Sequence, residues 1–334
     1  MLSGLGRMGW SVPLSESYVH HGAIMAGGFL GSLIALEKVI PLKKPYFYTG
    51  PLLSACSVVA FITGHFSVAL FMLIGASVLF VFVYLTYLRT QTTLYLLIAL
   101  AGSVCWVVGN VLLLWKRFYP MAFPWWMAFI LLIIVSERLE LLKFLPVSNR
   151  SKHRLILFLG FFIAGILFPF HETGRYVSGA SLVFVAAWLL RNDVVSVTMK
   201  KEGLLRYTAV ALVCGYIALL LEGVFLVVIH DMALAYDIIL HTFFIGFVFA
   251  MIFAHGPIIL PGVLGLSVRP YHPLFYLPLV LLFISLGFRI AADAMLIPIY
   301  FRALSGWTSA GSILLYFALM ITFTLRAVRH ASAA

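Results

Sequence analysis

Apolar runs about as long as a bilayer core is thick recur eleven times along this chain, and no long polar stretch separates any two of them. A hydrocarbon core about 30 Å thick needs about 20 apolar residues per helix. Within it every backbone N–H and C=O must be satisfied inside the segment, so a run of this length is read as a helix. The runs fall at 19–40, 49–64, 67–88, 93–115, 122–144, 154–170, 175–190, 204–229, 235–258, 273–291 and 307–328. The chain therefore reads as all-α, a polytopic transmembrane helical bundle of about 11 spans. The second, sixth and seventh runs are short, as expected of tilted, kinked or partly interfacial segments. Residues 1–18 are too short and too interrupted to span, and they lack the continuous apolar core of a signal peptide. They read as an N-terminal interfacial segment ahead of a single transmembrane domain over 19–334.

Charge supports the same class. Only 10% of the residues are charged, against roughly 25% in soluble domains, which excludes an ordinary cytosolic protein and a disordered chain. The formal charge of +11 comes from 22 Lys and Arg spread along the sequence rather than gathered in a patch, so nucleic acid is not an expected partner and the lipid bilayer is. Counted over alternate loops, 16 of these cations fall on one side and 6 on the other. The richer side belongs in the cytoplasm, which puts the N-terminus outside and the C-terminus inside. Cys56, Cys105 and Cys214 lie far apart within apolar runs and make neither a CxxC nor a haem-attachment motif.

Histidine is the unusual residue: there are 10, beside only 11 acidic residues. In this topology His20 and His21 open the first span from outside, and His65 and His171 occupy outer turns. His230 ends the eighth span, and His241 lies a turn or two inside the outer end of the ninth. His153, His255, His272 and His330 fall on the inner side. Neutral imidazole is the commonest metal ligand and the usual axial ligand of haem iron, and polar groups within spans are functional by default. His20, His21, His65, His171, His230 and His241 are thus metal-ligand candidates, although a histidine at a helix end is commonly just a headgroup-zone hydrogen bonder. His20 and His21 point about 100° apart and would serve different centres.

In the first span, His21, Met25, Gly28 and Ser32 share one helix face. Its small residues leave room for another helix or for a flat cofactor, and Met25 is a soft ligand candidate among residues that are more often plain core. In the ninth span His241 and His255 are 14 residues apart, about 21 Å along a helix and within about 40° of one face. That spacing would suit two haems, but no other span carries a matching pair of histidines, so one haem in the outer leaflet is expected, with His255 a helix-end residue. Glu222 is the clearest intramembrane carboxylate; unpaired, it would be protonated or very costly. Its roles are catalytic, as a proton relay or a metal-side partner, or else a protonated interhelical hydrogen bond. Arg289 sits near the outer end of the tenth span, where it would fork onto haem propionates, snorkel, or pair with Asp293 at i+4. Asn110 and Glu222, with many Gly and Pro, also fit a different class: a transporter of metal ions or small solutes.

These residues carry a resemblance. His241, Gly246 and Met251 have the H-x4-G-x4-M spacing of the NnrS family of bacterial haem- and copper-containing membrane proteins. HHGAIMAGGF is similar to that family's early H-x-H-E-M-x-x-G-F motif, with His21 on its first His, Ala23 in place of its second, and the Glu absent. The likeness covers the first span and the last three. It implies a haem-copper oxidase-like helix arrangement in a bacterial inner membrane, with haem b held by His21 and His241, copper as a further metal, and Arg289 and Met25 beside the cofactor. It also implies handling of nitric oxide or electron transfer, with a redox partner on the outer side. The chain lacks a His-Pro-Glu-Val-Tyr type of sequence and an H-x-H in its ninth span, which speaks against a binuclear oxygen- or NO-reducing centre.

Overall fold

The computed structural model describes residues 2–8, 17–229 and 232–333. Among these residues it is helical without strands. A short helix, Leu2–Arg7, precedes eleven long ones: α1 His21–Leu42, α2 Pro45–Ile62, α3 Phe66–Thr90, α4 Leu94–Lys116, α5 Tyr119–Leu141, α6 Asn149–Leu167, α7 Gly174–Asn192, α8 Leu204–Val228, α9 Ala235–Val263, α10 Pro273–Asp293 and α11 Tyr300–Ala333. Each apolar run of the sequence falls on one of them. Nine of the described helices are long and apolar enough to cross a membrane. The two that fall short are α6, whose first turns carry Arg150, Lys152 and Arg154, and α7, which is bounded by Arg175 and Arg191.

The helices group into two compact units, residues 1–144 and 145–334. The boundary falls in a short turn between α5 and α6, where no polar linker marks it in the sequence.

In the first unit α2 to α5 pack as successive antiparallel neighbours. A polar knot fastens three of them: the Trp126 indole donates to Asn110 Oδ1 at 3.0 Å, and Asn110 Nδ2 donates to the Leu73 carbonyl at 3.2 Å and Ser77 Oγ at 3.3 Å. Asn110 is fully buried, and with these bonds it is a satisfied structural junction rather than a helix break. Trp106 stacks on Phe129 at 4.7 Å beside it. Residues Ile24–Leu30 of α1 form a π-helical segment. There the Ser54 hydroxyl of α2 donates to the Gly27 carbonyl at 2.7 Å. The small face of α1 is thus filled at this level by α2: a Cβ at Gly28 would collide with Val58.

In the second unit α7 and α8 approach backbone to backbone. A Cβ at Gly179 would stand 2.6 Å from the Gly223 carbonyl oxygen, and one at Gly223 would stand 2.5 Å from that of Gly179. α10 and α11 are joined by Ser285 and Ser309 at 2.7 Å and by Ser312 donating to the Pro278 carbonyl at 2.6 Å. A second π-helical segment, Thr242–Val248, interrupts α9 directly after His241.

Candidate functional site

Asp237 and His241 sit one turn apart at the start of α9, so both project from one face. The His241 ring turns back along the helix, and Nδ1 lies 2.8 Å from the Asp237 backbone carbonyl. A carbonyl oxygen can only accept, so Nδ1 carries the proton. In the neutral ring Nε2 then holds the lone pair, which is the tautomer a metal-ligating imidazole adopts. The Asp237 carboxylate is held independently: Arg289 of α10 donates through Nε at 2.6 Å and Nη2 at 3.0 Å. Arg302, in the first turn of α11, reaches Asp237 Oδ1 at 3.2 Å and Asp293 Oδ1 at 2.8 Å. Asp293, with no exposed side-chain surface, also lies 3.5 Å from Arg289 Nε.

Two carboxylates and two guanidiniums from three helices thus form a charge-balanced quartet at the foot of the His241 turn. Arg289 and Asp237 are paired and hydrogen-bonded, as a buried charge requires, whereas the Asp293 oxygens and Arg302 Nε are close in charge but make no hydrogen bond. The quartet also fixes the direction of the first turn of α9, and with it the imidazole. His171 lies at the same end of the unit, with its ring edge-on to Tyr236 at 5.6 Å.

A second polar feature lies between α8 and α9. Gly215 of α8 faces Ala250 and Met251 of α9, and Ala218 faces Gly246. Moving one further turn along each antiparallel helix brings Glu222 level with Thr242. Both side chains are fully buried. Both Glu222 carboxyl oxygens and the Thr242 hydroxyl lack hydrogen-bond partners, and Thr242 opens the π-helical segment, a backbone form concentrated at functional positions.

In the first unit, His21 opens α1 beneath the N-terminal helix. Its Nδ1 is 3.0 Å from Ser3 Oγ, and Gly4 packs so closely on the ring that a Cβ there would stand 2.8 Å from Cε1. Met25 follows one turn later in the π-helical segment. His20 faces elsewhere, with Nδ1 at 2.8 Å from the Tyr119 hydroxyl and its ring between Phe61 and Phe66. His65 is exposed and bonds to nearby Thr63 at 3.0 Å. His230, with Asp231, lies outside the described residues. Among the described residues no three His, Cys, Asp or Glu side chains gather as a metal-holding group.

A haem needs an axial imidazole with one nitrogen anchored and the other aimed outward, and His241 meets that requirement in its donor chemistry. Arg289, expected to face propionates, instead faces Asp237. The sequence reading missed Asp237 and Arg302. Asp237 was nonetheless signalled, since it lies at i−4 from the singled-out histidine in a chain with 11 acidic residues. Arg302 had no such signal, because its run appeared to begin only at 307.

A family model described as a domain of unknown function, DUF8744, matches residues 1–325. No curated protein and no solved structure matches the chain.

Proposed function

On the premise that the chain belongs to the DUF8744 family, we propose that it is a haem b-binding integral membrane protein that transfers electrons or handles nitric oxide near the outer leaflet. The observation that carries this is the Nδ1–H bond of His241 to the Asp237 carbonyl. It leaves the Nε2 lone pair available, so His241 would hold the iron, with the Asp237 carboxylate, held by two arginines, beside the ring. Haem b bound there supplies a one-electron iron couple. By the motif resemblance alone, His21, with Met25 one turn away, is a further candidate for holding the cofactor. Asp237, Arg289 and Arg302 position His241, and Glu222 carries protons across the apolar layer. Copper is the further metal, with His20, His65, His171 and His230 as its candidate ligands. In the same proposal eleven helices span a bacterial inner membrane, with the N-terminus outside, the C-terminus in the cytoplasm and a redox partner on the outer side. The resemblance of His241, Gly246 and Met251 to the NnrS spacing supports it by analogy.

The test is the optical spectrum of the detergent-purified protein after haem-replete expression. A Soret band with sharp reduced α and β bands, lost on His241→Ala, is the expected result. A folded, colourless protein overturns it.

The unpartnered pair Glu222 and Thr242 favours a second role, a proton-coupled transporter of metal ions or small solutes. A colourless protein that acidifies the lumen of vesicles only when a solute is supplied, and loses this on Glu222→Gln, would establish the transporter in place of the haem protein.

A further inference from the structure

At the end of the second unit away from His241, the first turns of α6 and the last turns of α7 enclose an open cavity of about 710 Å³. Its size is within the range of small-molecule sites. Its floor is closed and internally satisfied. The Trp188 indole donates to the Ser151 carbonyl and lies 2.9 Å from Ser151 Oγ, which bonds Asn192 Oδ1 at 3.2 Å. Its rim holds Arg154 and Arg191, and no Asp or Glu lines it. Among the described residues neither arginine has an ion-pair or hydrogen-bond partner. The start of α6, capped by Ser148, adds the positive end of a helix dipole.

One turn beyond Arg154 the wall changes character. Phe158 stacks on Phe184 at 5.1 Å, and Phe184 is 53% exposed. Leu157 and Phe161 continue the exposed apolar strip along α6. Cationic forks at a helix end, followed by an open aromatic and aliphatic strip toward mid-helix, match the order of a phosphate headgroup and its acyl chains. A free phosphate would make no use of the strip.

We propose that this cavity is a binding site for an anionic phospholipid. The guanidiniums of Arg154 and Arg191 grip the headgroup phosphate, which arginine recognises in a forked geometry. The Phe158–Phe184 pair seats the first part of a chain. Clustered basic side chains at a membrane surface are suited to such headgroups.

The test uses the full chain in non-ionic detergent, with bound lipid read by native mass spectrometry. Dioleoyl-phosphatidylglycerol, dioleoyl-phosphatidylcholine and inorganic phosphate are the probes. Phosphatidylglycerol is expected to bind about tenfold more tightly than phosphatidylcholine, and the Arg154→Gln, Arg191→Gln double variant to lose that preference. The charge-matched Lys200→Gln, Lys201→Gln variant should keep it. Phe184→Ala should weaken phosphatidylglycerol while retaining both arginines. Equal binding of the two lipids, an unchanged preference in the arginine variant, or displacement of phosphatidylglycerol by phosphate at equal concentration each overturns the site. If the arginine variant does not fold, the lipid preference and the phosphate competition on the wild-type chain decide it.

Discussion

Asp237 takes Arg289 at two points: Oδ2 accepts from Nε at 2.6 Å and Oδ1 accepts from Nη2 at 3.0 Å. The two residues are 52 positions apart, and their bond ties the start of α9 to the end of α10. Arg289 has only 7% of its side chain exposed, so water cannot replace the partner. Removing one member of a buried pair costs on the order of 3 kcal/mol, and without Arg289 the Asp237 carboxylate keeps only Arg302, at 3.2 Å. Arg289→Ala should therefore lower the thermal midpoint in detergent strongly. Arg289→Lys should lower it less, because a lysine gives one point of contact in place of a fork. Adding Asp237→Asn to Arg289→Ala should recover part of the loss. A double variant no more stable than the single one would show that the pair does not bear on folding.

The histidines of α9 separate one haem from two. His241 and His255 each donate Nδ1–H to the carbonyl four residues earlier, at 2.8 Å and 2.7 Å, so local tautomer alone does not distinguish them. Only His241 stands beside the ion-pair quartet. His241→Ala should abolish the reduced α band, while His255→Ala should leave its amplitude per protein unchanged. Loss of half the haem on replacing His255 would instead require a second cofactor.

The helices were legible because membrane segments must be both long and apolar, and both properties are written locally. Each apolar run of the sequence lies on one long helix. The ends were less legible. α11 starts at Tyr300 rather than 307, because Arg302 is held inside its first turn by Asp293 and Asp237. α6 starts at Asn149 rather than 154, because its basic turns continue the helix beyond the apolar stretch. Partnerships between distant residues were the least legible. Arg289 pairing with Asp293 follows from i+4 spacing, whereas its shorter bond to Asp237 depends on how α9 meets α10. The π-helical segments after His21 and His241 were not read from the sequence, since neither IMAGGFL nor TFFIGFV departs from an ordinary helical pattern.

Close packing of α7 on α8 rests on two glycines whose carbonyls occupy the space a side chain would need. A Cβ at either position meets backbone, which cannot rotate away as a side chain tip does. Gly179→Ala should destabilise the second unit by about 1–3 kcal/mol, the range for overpacking a tight interior. Gly179→Leu should prevent recovery of folded protein. Gly160→Ala is the control, since a Cβ there meets nothing within 4 Å. Equal thermal midpoints for Gly179→Ala and Gly160→Ala would rule out the predicted contact.

Glu222 offers the cleanest separation of stability from function. Its carboxyl oxygens are buried and without hydrogen-bond partners, one turn along from the contact of Ala218 with Gly246. A charged carboxylate left there would be costly, so the fold has no use for its charge. Glu222→Gln keeps the shape and removes the titratable group, and the variant should still fold with a cooperative thermal transition, since no buried charge is gained or stranded. Proton movement, measured by a pH-sensitive dye inside vesicles during reduction and reoxidation of the protein, should fall at least tenfold. Glu222→Lys brings an unpaired cation into the same position and should not fold. Full proton movement in a folded Glu222→Gln protein would remove Glu222 from the proton path and leave it a buried filler between α8 and α9.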